Sequence, residues 1–140
     1  AAPDPTFSPA SPTMVAFDTR MWVEGGIPTG EIASDVISVP GVAVQAFAQV
    51  REVLWEMGDG SVTCPITTDE ESAQAAGCVY RYETSSAGQP GDMYQGSATL
   101  VWEGRYEING APAPEVLPDI PRETPFELGV EEAQAVNTGD

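Results

Sequence analysis

Between residues 94 and 103 apolar side chains recur at every second position, and this period constrains the fold more than any other feature of the chain. Tyr94, Gly96, Ala98, Leu100 and Trp102 fall on one parity; Gln95, Ser97, Thr99 and Glu103 fall on the other. Successive side chains of a strand point to opposite faces, so the pattern is that of a strand with one dry and one wet face. The alternation can run on through Arg105, Tyr106 and Ile108. Residues 42–50 repeat it, with Val42, Val44, Ala46, Ala48 and Val50 opposed to Gln45 and Gln49, and with Phe47 on the polar parity. Residues 52–57 alternate a third time, Val53, Trp55 and Met57 against Glu52, Leu54 and Glu56.

Shorter strands are expected over residues 14–23, over 36–39 ahead of the turn dipeptide Pro40-Gly41, and over 78–83. A last one is expected over 125–130, with Phe126, Leu128 and Val130 inward. Helical spacing is not sustained anywhere, and 13 prolines and 14 glycines oppose long helices. About seven strands separated by turn signals predict an all-β antiparallel sandwich. The cysteine-bracketed segment 64–78, residues 84–92 and the four-proline stretch 109–121 are expected as loops. Residues 1–13, also with four prolines, are expected as a linker or extended arm. Phe7 would let that arm lie on a partner. The folded domain then spans 14–137.

Acidic residues number 22 and basic residues 5, a net charge of −17; every basic residue is Arg and there is no His. Such a chain is not expected to bind nucleic acid or an anionic lipid surface, because little neutralises phosphate. Without His, the commonest general base is missing, and with it the Ser-His and Cys-His pairs and the usual zinc ligands. No catalytic activity, cofactor or metal is expected. No apolar run approaches the roughly 20 residues of a membrane-spanning helix, so no membrane insertion is expected within the residues shown. Cys64 and Cys78 read as one disulfide, hence an oxidising, extracytoplasmic compartment. Two free thiols and a metal pair are the alternatives.

Five sets of residues are candidates for function. Trp55, on an inward parity, reads as core before ligand stacking. Asp59, between Gly58 and Gly60, reads as a turn residue bonding its own backbone before a calcium ligand. Asp69-Glu70-Glu71 reads as a solvated loop before a cation site. Phe17, Phe47, Leu54 and Val101 fall on outward parities or loops and would make a partner surface if gathered. Trp22, Trp102 and Tyr106 would be the platform of a carbohydrate-binding module.

The segment Val53-Leu54-Trp55-Glu56-Met57-Gly58-Asp59-Gly60 resembles the signature of PKD (polycystic kidney disease) domains. Cys78-Val79-Tyr80-Arg81-Tyr82 and Tyr94-Gln95-Gly96-Ser97-Ala98-Thr99-Leu100 look like the two strands that follow it in that family. The cysteine pair, residues 85–91 and the closing stretch 130–136 are similar to PKD-like proteins exported by actinobacteria. The likeness covers roughly residues 14–137. It departs at the family's usual His, near which Tyr80 stands, and in the long proline loop. The resemblance implies an immunoglobulin-like fold outside the cytoplasm, serving as a spacer or interaction module. The expected partner is another envelope protein, in a membrane complex, or copies of the chain itself in a surface filament.

Overall fold

The computed structural model describes residues 4–25, 30–113 and 117–132. In chain order the first strands are β1 (Asp4–Ser8), β2 (Thr13–Met14), β3 (Thr19–Glu24), β4 (Ile32–Ala33), β5 (Ile37–Val39) and β6 (Val42–Glu56). After β7 (Ser61–Cys64) comes a helix, α1 (Glu70–Ala76), then β8 (Val79–Tyr80), β9 (Tyr94–Ile108), β10 (Ala111–Pro112), β11 (Ile120–Leu128) and β12 (Val130–Glu131). The fold is an all-β sandwich with antiparallel sheets. One sheet has seven strands built around the β6–β9 pair; the other has three, in the order β1-β3-β8. A short parallel pairing of β12 with β2 closes one end.

The two alternating runs 42–50 and 52–57 belong to one strand. Their parities disagree, since even-numbered residues are apolar in the first and odd-numbered ones in the second. The structure reconciles them with a β-bulge: Val50 lies opposite Trp102 and Glu52 opposite Val101, leaving Arg51 as the extra residue. One inserted residue restores the phase. Val42, Val44, Ala46, Ala48, Val50, Val53 and Trp55 therefore share a face with Ile108, Tyr106, Gly104, Trp102, Leu100 and Ala98.

The core lies where this face meets the small sheet. Val50, Val53, Trp55, Met57, Tyr94, Ala98 and Leu100 are buried against Met21 and Val23 of β3, with Leu128 and Val130 closing the C-terminal side. The rings of Phe7, Trp55 and Phe126 meet at centroid distances of 5.8, 4.9 and 6.2 Å, tilted or edge-on, as aromatic quadrupoles favour. Cys64 at the end of β7 and Cys78 just before β8 form a disulfide that ties the large sheet to the small one.

Five expectations need correction. The single strand expected over 14–23 is two, β2 and β3, which lie in different sheets on either side of a turn at 15–18. The stretch expected as an arm is, from Asp4 onward, a strand of the body: β1 pairs with β3 over five residues and buries part of Phe7. Residues 1–3 lie outside the described residues, as do 133–137 of the expected domain. The cysteine segment is not irregular, because Asp69, Ser72 and Gly77 supply both ends of a helix. Asp69 accepts from the Ser72 backbone N–H at 2.7 Å in a capping box, and Gly77 stops the helix in a left-handed conformation. The strand expected over 78–83 is only β8, two residues long. The strand expected from residue 125 starts at Ile120, inside the proline stretch; as an edge strand β11 tolerates Pro121 and Pro125.

Candidate interaction surface

The two sheets differ greatly in length. β6 and β9 have 15 residues each and β3 has six. At about 3.4 Å per residue they span about 50 Å and about 20 Å. The small sheet therefore covers only one half of the large one. The core ends at Val50 and Trp102, and the far halves of β6 and β9, with β4, β5 and β10, project as a single-layered finger. This corrects the expectation that the parity of residues 42–50 points into a closed interior: Val50 is buried, Val44 and Ala48 are half-buried, and Val42 and Ala46 are exposed.

The register adds further apolar residues to this face. Ile32 lies opposite Ala48, Ile37 opposite Val44, Val39 opposite Val42, Ile108 opposite Val44, and Ile120 opposite Trp102. Ile37 is 71% exposed and Val39 60%, with Ile32, Val42, Ile108 and Ile120 exposed as well. Val36, in the link before β5, is 54% exposed. No charged side chain falls on this parity of β4, β5, β6 or β9 within the finger.

The opposite face of the finger is polar and internally paired. Arg105 stacks 4.1 Å from the centre of the Phe47 ring and donates at 2.9 Å to both Glu31 and Glu107. The guanidinium hydrogen bonds hold the Glu31 carboxyl below its ordinary range, and the two carboxylates push Arg105 upward. Gln49 donates to Glu103 at 2.9 Å, and Arg51 pairs with Asp119 at 2.7 Å. Phe47, Leu54 and Val101 share this polar side, opposite Arg105, Thr99 and Glu52 respectively, and all three are half-buried. Phe47 and Leu54 stand about 20 Å apart along β6. Phe17 is exposed in the turn between β2 and β3 and does not join them.

The remaining candidate residues are placed as follows. Trp55 is in the core. Asp59 bonds a neighbouring strand instead of its own turn: the Tyr80 hydroxyl donates to it at 2.6 Å. Gly58, at φ +101°, lies against the Tyr94 ring, and Gly60 against the Tyr80 hydroxyl, so the Gly-Asp-Gly turn is seated on two tyrosines. A side chain at either glycine would strike them. The acidic triplet starts the helix: Asp69 caps it, and Glu70 pairs with Arg20 at 2.7 Å. Among the described residues no cluster of three metal-ligating side chains occurs, and no helix is long and apolar enough to cross a membrane. Of the three aromatics considered for a carbohydrate platform, Trp22 is only 7% exposed and donates its indole N–H to Glu24. Trp102 and Tyr106 are half-buried on the apolar face of the finger.

The sequence missed the finger face because alternation reports which parity is apolar and says nothing about what covers it. One signal was present. The segments able to pair into a second layer were short and broken, whereas 42–57 and 94–108 were long.

A scan against protein-family models finds no match, and searches of curated proteins and of solved structures find none either.

Proposed function

We propose that this protein is a non-catalytic docking module acting outside the cytoplasmic membrane, as an accessory subunit of a cell-envelope assembly. One observation carries the reading: a charge-free apolar sheet face, continuous with the core, is left open over the far half of β6 and β9. Water contact with that face is unfavourable, and a protein layer laid over it would extend the sandwich. The Cys64–Cys78 disulfide supports an oxidising compartment. The PKD-type reading of the body rests on the likeness of the segment Val53–Gly60 and the strands that follow it in the sequence. A carbohydrate platform is less well supported, since Trp22 lies inside and the finger face is dominated by aliphatic side chains.

The test is native electrophoresis of envelope extracts from the cells that make the protein. The wild-type chain is expected in a discrete species larger than the monomer. Ile37→Glu, placed on an exposed site, is expected to return it to the monomer with its circular dichroism unchanged. A wild-type chain that migrates as a monomer in such extracts would overturn the docking reading.

A further inference from the structure

We infer that the occupant of the finger face is a second copy of this chain, laid face to face and antiparallel about a two-fold axis. This rests on the docking reading above and names its partner. Three observations favour a like partner.

The first is area. The exposures of Ile32, Ile37, Val39, Val42, Ile108 and Ile120 amount to roughly 500 Å² of largely apolar surface. That is at the upper end of what a monomer leaves open and more than half of the roughly 800 Å² that each partner contributes to a standard interface. Ala46, Ala48, Tyr106 and Trp102 lie on the same face and add to it.

The second is shape. The face is a single β-layer whose complement is another β-layer with small and branched side chains, about 10 Å away. The same face of a second copy is such a layer. A two-fold pairing is self-complementary and closes at two chains, so no further surface is left to propagate.

The third is where the charge sits. With 22 acidic residues against 5 arginines, like-charge repulsion opposes self-association. The charge is unevenly placed, however. The described finger, residues 30–51, 101–113 and 117–120, holds five carboxylates (Glu31, Asp35, Glu103, Glu107, Asp119) and two guanidiniums (Arg51, Arg105), a net of −3. The rest of the described chain holds fifteen carboxylates and three guanidiniums, a net of −12. Both finger arginines are engaged by finger carboxylates, and the Arg105 network lies on the face turned away from the apolar one. Antiparallel overlap of two fingers would put the acidic bodies at opposite ends. They would then be separated by more than the roughly 10 Å over which charges act at ordinary ionic strength.

The experiment is light scattering on the size-separated, purified full-length chain with its disulfide intact, at low and at high NaCl. Twice the chain mass is expected, with the dissociation constant falling as salt screens the bodies. Ile37→Glu and, independently, Val39→Glu should weaken the dimer at least tenfold, with unchanged circular dichroism showing that the fold persists. Gln45→Glu, on the polar face of the same strand, should leave it intact. A wild-type chain that stays monomeric at about 100 µM in both salts, or a dimer indifferent to both glutamates, would overturn the inference. If the purified chain is monomeric while native extracts hold it in a larger species, self-pairing fails and docking to a different protein stands. If it is monomeric in both, both readings fail.

Discussion

Tyr82 shows how single side chains hold the body together. Its ring stacks on Tyr94 at 4.7 Å and meets Tyr80 edge-on at 4.9 Å, and its hydroxyl donates to the Met57 carbonyl at 2.8 Å. Burial drives the Tyr82 hydroxyl well above the ordinary phenol range. Burial, then the Asp59 hydrogen bond, lifts Tyr80 from 10.0 to about 12. Both phenols keep their protons in the folded chain at pH values where the unfolded chain loses them. The associated stability is therefore complete below pH 10 and is lost as pH rises from about 10 through about 12. Denaturant midpoints measured across that interval should fall, and phenolate absorbance should appear in step with unfolding. Asp59→Asn should bring the Tyr80 ionisation to lower pH. At the aromatic cluster, Gly96 stands opposite Phe126 and leaves room for that ring, where a Cβ would collide with it. Removing the neighbouring indole by Trp55→Ala should cost about 3–5 kcal/mol in urea unfolding, because a wholly buried ring leaves a cavity among residues fixed by three strands.

The bulge at Arg51 is the decisive local device among the elements. It lets one strand use even-numbered residues before it and odd-numbered ones after it for the same face. Deleting Arg51 would flip residues 42–50 relative to 53–57, turning Gln45, Phe47 and Gln49 to the apolar side of the finger. Amide NMR signals of β4, β5 and the far halves of β6 and β9 should then shift or broaden, while those of β3, β8 and β11 near Leu128 hold. Helix α1 is held mainly by its ends. With seven residues it is too short to persist alone, and Asp69→Ala should lower global stability by about 1 kcal/mol. That loss should be measurable as a reduced denaturation midpoint.

The whole molecule is divided into a sealed half and an open half. The body has two layers, an aromatic core and a disulfide; the finger has one layer and a solvated apolar face. Amide exchange should follow that division in the monomeric Ile37→Glu chain, with slow exchange in β3 and around Val53–Met57 and fast exchange beyond Ala48 and Gly104. Reducing the disulfide, whose cysteines are 14 positions apart, should remove about 3 kcal/mol of stability in the loop-entropy account. It should leave finger exchange nearly unchanged, because both sulfurs lie in the body.

The parity of each run and the turn at Gly58–Gly60 were legible in the sequence because each depends on neighbours a few residues away; the cysteine pair and the layered β class were legible because the chain has only two cysteines and repeats the alternating pattern several times. Alternation could not show that 42–50 and 52–57 are one strand, since joining them requires the partner strand that fixes the bulge. Nor could it place β1 in the body, where Phe7 is held by Trp55 and Phe126 from distant parts of the chain. Helix α1 was in principle readable from Asp69, Ser72 and Gly77, but its seven residues are too few for a period to emerge. Only the tertiary structure decided that the second sheet stops at Val50 and Trp102. A strand's pattern records which of its faces shuns water, whereas the extent of the cover depends on how far the opposing layer reaches.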